Sequence, residues 1–296
     1  NLFLNETIGT KDYDYIVASD TDSVYVRLGK LIERFLPDCT DTEKIVNFLD
    51  NSSEKIIQPL IDKKYEELAQ MMNAYENKMF MGREVIAERG VWTAKKRYAL
   101  NVWDSEGVRY EEPKLKIMGI ETTRSSTPAI VREKLKNAIR LILTKEEKDI
   151  QQYVAEFRDE FFSCEPEEIA FPRSVSNLEK WESSSEIYIS ATPIAVKGSL
   201  IYNHYIKKLK LEEKYEKIQQ GDKVKFIYLK EPNPISGVKG DKVISFPASI
   251  PKELDIHRFV DYNMQFTKSF LDPLETILNV VGWKSKEEAT LEGLFV

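Results

Sequence analysis

The sequence predicts an α+β fold, in which antiparallel strand pairs occupy the first part of the chain and a mainly helical region follows. Apolar and polar residues alternate in "DYIVASDTDSVYVRL" (14–28) and in an aromatic-rich stretch at 90–122, as is typical of strands. From position 127 onward, apolar residues recur every three or four residues, which is typical of helices. Strands and helices are mixed in the first part, without a regular βαβ order.

The first strand pair consists of "YDYIVA" (13–18) and "SVYVRL" (23–28), joined at "SDTD", where Ser and Asp favour a tight turn. This pairing places Asp20 and Asp22 at the tip of a hairpin. An aspartate inside an apolar strand pair is unfavourable for folding, and a buried carboxylate without a partner is costly. Some other interaction is therefore expected to compensate for the two carboxylates.

A helical pattern runs from Asp41 to about Asn77, and Pro59 predicts either a kink or a break near 51–53. A second antiparallel pair follows, because "GVWTAKKRYALNVWD" (90–104) and "GVRYEEPKLKIMGIET" (107–122) both alternate and are joined by a turn at "DSEG".

The pattern changes at "RSSTPAIVREKLKNAIRLIL", where Thr127 can cap a helix and Pro128 suits its first position. The apolar face of that helix would carry Val131, Leu135, Ile139 and Ile142. Further helices are predicted at about 146–163, 199–219 and 255–280, with a strand at "DKVKFIYLK" (222–230).

The composition is that of an ordinary soluble globular protein, with 296 residues, 42% hydrophobic and 31% charged, enough for one large domain or two smaller ones. Cys39 and Cys164 are the only cysteines and there are two histidines, which argues against a disulfide framework and against a thiolate or histidine metal site. No long apolar run or signal peptide is present, so no membrane role is predicted. Because the sequence opens on Asn1, it is interpreted as a processed or truncated piece of something longer.

The charge is unevenly distributed along the chain. The net charge is −6, but the segment 91–140 contains eleven Lys and Arg residues against six Asp and Glu residues. That segment is therefore net positive while the rest is strongly negative. A basic stripe on an acidic protein points to a polyanion site more reliably than the overall charge does.

Three interpretations of the "DTD" stretch are open from the residues alone. Asp20 and Asp22 can be turn residues that bond the local backbone. They can also hold a hard cation, because clustered carboxylate oxygens are what Mg²⁺ needs while it binds phosphates. A nucleotide-sugar transferase would use the same tripeptide, whereas an EF-hand is excluded because its glycine and distal glutamate are missing.

Two basic or polar motifs lie downstream. "KKRY" (95–98) places three cations beside an aromatic residue in a predicted strand, as a solvated face or as a site for phosphates with Tyr98 packed on a sugar or base. "RSST" (124–127) offers hydroxyl groups, a cation and helix N-terminal amides, which suit either a phosphate or an ordinary helix cap.

The order of these motifs is specific. "SDTDSVYV", the block "REVIAERGVWTAKKRYALNVWDSEGVRYEEPKLKIMGIETTRSSTP" (83–128), and the later "DYNMQFTKSFLDPLE" and "ATLEGLFV" closely resemble the C-terminal portion of family B replicative DNA polymerases of T-even-type bacteriophages. The resemblance extends along nearly the whole chain. It implies a partial polymerase palm over residues 1–126, a thumb over 127–288 and a clamp-binding tail over 289–296.

The resemblance implies a two-metal nucleotidyl-transfer site. Asp22 would be a direct ligand of two catalytic magnesium ions, Asp20 a neighbouring and less essential acid, and Glu84 a palm acid close to the metals. Relatives often have Tyr-Gly where this chain has Ala18-Ser19, which affects the expected shape of the hairpin but not its carboxylates. Two magnesium ions about 4 Å apart would activate the primer 3′-hydroxyl and neutralise the departing pyrophosphate.

The resemblance also assigns contacts to primer-template DNA and to a sliding clamp. The DNA-binding residues would be Lys95, Lys96, Arg97, Tyr98, Arg124, Ser125, Ser126, Thr127, Lys197 and Gly198. Lys96 and Tyr98 would hold the primer terminus, and Arg124 would probe the minor groove where relatives carry Lys. The tail "LEGLF" would insert into the clamp through Leu291, Leu294 and Phe295, or it is simply a frayed apolar C-terminus.

Parts of the family's active site are absent from these residues. The first metal-binding aspartate, the fingers that bind the incoming dNTP and the exonuclease domain have no counterpart in the sequence. The prediction is therefore a polymerase fragment or subunit that needs an N-terminal polypeptide for activity, in the cytoplasm of an infected bacterial host. Truncation of an undivided enzyme is the other explanation for the missing regions. The alternative function is a non-catalytic module that binds DNA and tethers it to a sliding clamp.

Overall fold

The computed structural model describes residues 1–120, 122, 124–183, 186–235 and 242–287. The chain forms two compact units, Asn1–Gly119 and Ile120–Val296. Both units combine helices with antiparallel sheet, which confirms the predicted α+β class. The units divide somewhat before the boundary at 126/127 that the sequence resemblance implied.

The first unit contains four α-helices and five strands among the described residues. In chain order they are α1 (Leu2–Ile8), β1 (Ile16–Asp20), β2 (Ser23–Val26), α2 (Gly29–Phe35), α3 (Thr42–Ser52), α4 (Gln58–Met71), β3 (Val85–Ala94), β4 (Arg97–Ser105) and β5 (Val108–Met118). The hairpin prediction is confirmed, because β1 and β2 pair antiparallel up to Asp20 opposite Ser23. A small core of Ile8, Tyr15 and Leu31 lies beneath the hairpin and joins it to α1 and α2, two short helices that the sequence pattern did not predict.

The long helical pattern that begins at Asp41 is continuous. The Asp41 side chain accepts a hydrogen bond from the Lys44 amide and caps α3. There is no break near 51–53, because a π-helical segment, Ser53–Ile57, carries the chain from α3 into α4. Pro59 lies in the first turn of α4, where its missing N–H is tolerated, so the irregular hydrogen bonding is confined to the preceding π-helical turn.

The predicted strand pair at 90–122 is instead a three-stranded antiparallel sheet, β3–β4–β5. The first predicted strand is interrupted after Ala94, and Lys95 and Lys96 form a tight turn before β4 begins at Arg97. The placement of "KKRY" in one strand is therefore wrong. The physical reason is the left-handed backbone of Lys96, with φ +62°, which no regular strand adopts.

A buried ion cluster fastens α3 to this sheet. The carboxylate of Asp104 is fully buried and contacts both Arg83 and Arg109, and both arginines also reach Asp50 in α3, each at 2.7 Å. Two carboxylates and two guanidinium groups balance one another, which limits the cost of burying Asp104.

The second unit contains seven helices and three strands among the described residues. They are α5 (Ala129–Thr144), α6 (Glu147–Ser163), α7 (Pro166–Ile169), β6 (Phe171–Ser174), α8 (Leu178–Trp181), α9 (Ile194–Lys208), β7 (Lys223–Tyr228), β8 (Val243–Phe246), α10 (Tyr262–Phe266) and α11 (Asp272–Val281). Lys252–Leu254 and His257–Phe259 form 3-10 turns before α10, and a π-helical segment, Thr267–Leu271, joins α10 to α11.

The helices of the second unit pack around an aromatic core and a small sheet. Phe157 lies 4.7 Å from Phe270 and 5.7 Å from Phe266, measured between ring centroids. The sheet order is β6–β7–β8, so the predicted strand at 222–230 has a neighbour on each side. Helix α9 begins earlier and ends earlier than the predicted 199–219, and α5 has Pro128 at its N-cap rather than at its first helical position.

Over the residues that the structure describes, no helix is both long and apolar enough to cross a membrane.

Candidate functional site

The two aspartates lie at the tip of the β1–β2 hairpin, as the sequence predicts. Asp20 is the last residue of β1 and Asp22 is in the turn, after Thr21 with φ +25°. The Thr21 hydroxyl donates to Oδ1 of Asp20 at 3.2 Å, and the Ser23 hydroxyl donates to the Asp20 backbone oxygen at 3.3 Å. Among the described residues, neither carboxylate accepts a hydrogen bond from a backbone amide, so their side chains do not act as ordinary turn formers.

Two lysines of the β3–β4 turn reach the hairpin tip. The ammonium groups of Lys95 and Lys96 lie 3.5 Å and 3.6 Å from the two carboxylate oxygens of Asp20. Partial burial raises the pKa of Asp20, but the charge of Lys96, the Thr21 hydrogen bond and Lys95 outweigh this effect, and the pKa is lowered from its usual value. Asp20 is therefore a carboxylate at neutral pH and pairs with two exposed cations.

The Asp22 side chain differs from that of Asp20. It is solvent-exposed, and no described residue forms a hydrogen bond or an ion pair with its carboxylate. An exposed carboxylate at a hairpin tip has its oxygens available to an incoming ligand, and oxygen is the donor atom that Mg²⁺ prefers.

The position of the two lysines depends on Gly119. This glycine follows β5 with φ +65°, and its backbone passes so close to the carbonyl oxygen of Lys96 that a Cβ there would overlap it. The close approach of Gly119 and the left-handed backbone of Lys96 together shape the turn that presents Lys95 and Lys96 to Asp20.

An aromatic cluster holds the hairpin against the sheet. The Tyr25 ring of β2 lies 5.3 Å from Trp92 and 5.2 Å from Tyr98, which face each other across β3 and β4. Burial, together with the adjacent Tyr98 side chain, raises the pKa of Tyr25 to about 12. Because Tyr25 is three residues from Asp22 and Tyr98 is two residues from Lys96, this cluster fixes the carboxylates relative to the basic turn.

Glu84 lies immediately before β3, and its exposed carboxylate pairs with the ammonium group of Lys116 in β5. Its backbone oxygen accepts a hydrogen bond from the Glu106 amide at 2.7 Å. In the described part of the chain, no group of three or more His, Cys, Asp or Glu residues is arranged to hold a metal ion. Asp20, Asp22 and Glu84 are thus not assembled into a closed ligand set within this chain.

Comparison with known proteins identifies the family. The family model described as DNA polymerase family B matches residues 63–280. The chain is 37% identical, over its whole length, to a DNA-directed DNA polymerase of Enterobacteria phage T4 and to one of Escherichia phage RB69. The chain belongs to DNA polymerase family B. This finding confirms the resemblance to T-even-type phage polymerases, and the chain spans 33% of the length of each of these two relatives.

The remaining DNA-contact predictions for this family B chain lie in its second unit. Arg124 and Ser125 are exposed, Ser126 is half-buried with its backbone oxygen accepting from Arg173 at 2.6 Å, and Thr127 is buried. These residues form the turn before α5, where the Thr127 amide donates to the Arg124 oxygen. Their assignment to DNA is a prediction that this geometry leaves open.

Lys197 and Gly198 lie in α9 and differ in surroundings. The Lys197 ammonium group lies 4.6 Å from the centroid of the Tyr188 ring, in a cation–π contact. Gly198 is buried where α9 meets β8, and a Cβ there would lie 2.6 Å from the Ser245 amide nitrogen. Close helix–sheet packing is the observed role of Gly198, and its predicted DNA contact stays a prediction.

The predicted clamp-binding residues Leu291, Leu294 and Phe295 lie outside the described residues. Sequence reasoning also missed four residues that build the site in the first unit, namely Tyr25, Trp92, Lys116 and Gly119. Their aromatic, basic or glycine character was visible, but their partners are residues remote in sequence, and no local pattern indicates such pairs.

Proposed function

We propose that this chain supplies part of the nucleotidyl-transfer site and the duplex grip of a DNA-directed DNA polymerase. The observation that supports this most strongly is the exposed Asp22 carboxylate at a hairpin tip, held beside the basic turn of Lys95 and Lys96. Because the chain belongs to DNA polymerase family B, the proposed reaction of these residues is extension of a primer by in-line nucleotidyl transfer from a dNTP.

The acidic residues would bind magnesium. Asp22 is free to act as a ligand, while Asp20 and Glu84 would first exchange their lysine partners for the metal or for the phosphates that accompany it. Two bound Mg²⁺ ions would supply activation of the 3′-hydroxyl and charge neutralisation of pyrophosphate. The ligand set needs at least one further carboxylate, which we assign to a polypeptide that carries the first palm aspartate.

The basic residues would bind DNA. In the free chain Lys95 and Lys96 pair with Asp20, and a primer phosphate is the natural competitor for two exposed ammonium groups. Tyr98 is fixed by Tyr25 and Trp92, so its position would be set before DNA arrives. The palm part would span residues 1–126 and the thumb residues 127–288. The product duplex would be approached by Arg124, Ser125, Ser126, Thr127, Lys197 and Gly198.

The proposed partners follow from the same assignment. They are primer-template DNA, the incoming dNTP, a polypeptide with the exonuclease and fingers, and a sliding clamp bound through the tail at 289–296. The proposed place of action is the cytoplasm of an infected bacterial host.

One observation favours a second candidate. Asp20 and Glu84 are both paired with lysines, and no closed metal site is assembled in the described residues. A non-catalytic module that binds duplex DNA and tethers it to a clamp would have such a surface. The exposed Asp22 argues against it, because a module without catalysis has no need of a free carboxylate next to its phosphate-binding lysines.

Magnesium-dependent primer extension tests the proposal. The chain alone should be inactive, and a mixture with a polypeptide that carries the exonuclease, fingers and first palm aspartate should extend a primer. Asp22→Asn should abolish extension and leave duplex affinity within about twofold, because only one exposed charge changes. Asp12→Asn is the matched control, since Asp12 is also exposed in a turn of the first unit with a left-handed backbone that Asn tolerates.

Each other outcome has a distinct meaning. Extension by the chain alone would show that the ligand set is complete without a partner and would overturn the split arrangement. Extension by Asp22→Asn would overturn the metal assignment. Duplex binding without extension in any mixture would support the non-catalytic module.

A further inference from the structure

Helix α4 has an apolar stripe that this chain leaves incompletely covered. Ile57, at the end of the preceding π-helical segment, and Ile61, Tyr65 and Leu68 of α4 recur every three or four residues and share one side of the continuous helix. Such a stripe normally faces a core, yet none of the residues of α4 is buried. The stripe is only half-covered by the first unit itself.

The segment that follows α4 extends this apolar surface. All ten residues from Met71 to Phe80 are exposed, and five of them are large and apolar. These five are Met71, Met72, Tyr75, Met79 and Phe80. Phe80 is 79% exposed and Met71 is 75% exposed. A dense run of exposed apolar side chains marks an interaction site more often than a free surface, and methionine is common on such surfaces because it adapts to its partner.

This apolar face, 57–80, is held in place by local hydrogen bonds. The Met72 and Ala74 amides donate to the carbonyl oxygens of Leu68 and Ala69, each at 2.9 Å. The Met79 amide donates to the Asn77 side chain at 2.9 Å. These bonds order the backbone around Met72, Ala74 and Met79, which lowers the entropy cost of binding.

The chain is anchored three residues beyond the far end of the apolar face, next to Glu84. Arg83, three residues beyond Phe80, reaches Asp50 and the buried Asp104, and Glu84 follows directly. A partner bound to the apolar face would therefore lie next to Glu84, the predicted metal ligand that immediately precedes β3.

The comparisons show that this face is shared with much longer proteins. The chain aligns with its phage relatives along its whole length but spans only a third of theirs, and the family match begins at residue 63, inside α4. The apolar face thus belongs to the part shared with larger proteins, in which the other two thirds of the polypeptide are available to cover it. Its charged residues are nearly balanced, four acidic and three basic in 57–80, so apolar contact rather than charge would drive association.

We propose that the apolar face 57–80 is the docking surface for the polypeptide that carries the rest of a family B polymerase. This inference rests on the proposed function, because it names the surface through which that partner joins. Met72 and Phe80 would be the principal anchors, as large exposed side chains near the two ends of the exposed segment.

The test measures association with a defined probe. The probe is the polypeptide of the phage T4 relative that precedes the region matched by this chain, immobilised for a binding titration with the full 296-residue chain. The double variant Met72→Ser with Phe80→Ser should bind at least about tenfold more weakly than the unsubstituted chain. The control variant, Leu2→Ser with Val108→Ser, removes two similarly exposed apolar side chains of the same unit and should bind within about twofold.

The outcomes separate this inference from the proposed function. Both variants should keep the circular dichroism spectrum and melting temperature of the unsubstituted chain, because all four side chains are exposed. Equal binding by the double variant, or no binding by the unsubstituted chain, would overturn the docking surface. A concentration-dependent dimer that the double variant abolishes would assign the face to a second copy and would also overturn it.

Asp22→Asn completes the design. It should bind the probe as tightly as the unsubstituted chain while its assembly extends no primer. If the double variant does not bind the probe, and the assembly of the unsubstituted chain with the probe extends no primer, the docking surface is kept and the proposed function is rejected. If the double variant binds the probe and extends primers normally, the docking surface is rejected and the proposed function is kept.

Discussion

Single residues determine where the two lysines of the β3–β4 turn are placed. Lys96 adopts a left-handed backbone, and its carbonyl oxygen lies against Gly119 from the end of β5. Neither feature changes the alternating pattern of the sequence, so the stretch around Lys96 was predicted as one strand. The hairpin tip with Asp20 and Asp22 was predicted correctly, because Ser and Asp between two alternating runs are a local turn signal.

Gly119→Ala is expected to displace this turn. The new Cβ would overlap the Lys96 carbonyl oxygen and would force φ +65° on a residue that disfavours it, at a cost of about 2–3 kcal/mol in the free energy of unfolding. Urea denaturation measures the loss, and duplex affinity should fall with it because Lys95 and Lys96 move. Gly107→Ala is the control: φ is +86° but no atom lies within 4 Å, so only the backbone strain of about 1 kcal/mol remains. Equal losses for the two variants would show that the contact with Lys96 has no effect.

The ionisation of Asp20 gives a prediction about pH. Its folded pKa is lowered because Lys96, Thr21 and Lys95 outweigh partial burial, so the stabilisation is present above the ordinary value of 3.8 and is lost as the pH falls through the folded pKa. Lys96→Met should raise the Asp20 pKa, which a carbon-13 titration of the carboxyl group would detect. Lys44→Met, which removes the partner of Asp41 instead, should leave the Asp20 titration unchanged. An unchanged Asp20 pKa in Lys96→Met would contradict the pairing.

At the scale of elements, the junction of α3 with the three-stranded sheet depends on charge as well as on apolar packing. Asp104 in β4, Arg83 before β3, Arg109 in β5 and Asp50 in α3 form one cluster. Its members are separated by up to 59 positions, so the sequence gives no local sign of it. The short strands β6 and β8, four residues each, were missed for a related reason: their buried residues are recognisable only once β7 lies between them.

Asp104→Ala is expected to destabilise the protein by about 3 kcal/mol, because it leaves two partly buried guanidinium groups with only Asp50 to balance them. Thermal or urea unfolding would measure the change. Asp255→Asn removes the charge of an exposed carboxylate that pairs with Arg258 three residues away and keeps a residue that tolerates the left-handed backbone there, so it should cost less than about 1 kcal/mol. If Asp104→Ala lowered the free energy of unfolding as little as the Asp255 variant does, the cluster would contribute little net stability.

On the scale of the whole molecule, an acidic protein is proposed to bind a polyanion, and its charge distribution makes this possible. The net charge is −6, while the segment 91–140 is basic and includes the β3–β4 turn and the start of α5. The sequence therefore predicted a basic region, whereas the positions of the lysines next to Asp20 required the folded chain. The local attraction between that region and DNA phosphates must exceed the long-range repulsion between DNA and the rest of the surface. Salt screens the two effects differently.

Salt dependence of duplex binding tests whether Lys95 and Lys96 contact phosphates. Each phosphate contact contributes about 0.9 to the slope of log K against log salt for B-form DNA, so Lys95→Ala with Lys96→Ala should reduce the slope by about 2. Fluorescence anisotropy of a labelled duplex at four or more salt concentrations gives the slope. Lys44→Ala with Lys78→Ala lowers the net charge equally but removes lysines that pair with neighbouring surface acids, and should leave the slope nearly unchanged. If both double variants changed the slope equally, net charge rather than the β3–β4 turn would govern duplex binding. A slope near zero for the unsubstituted chain would show that these lysines make no phosphate contacts.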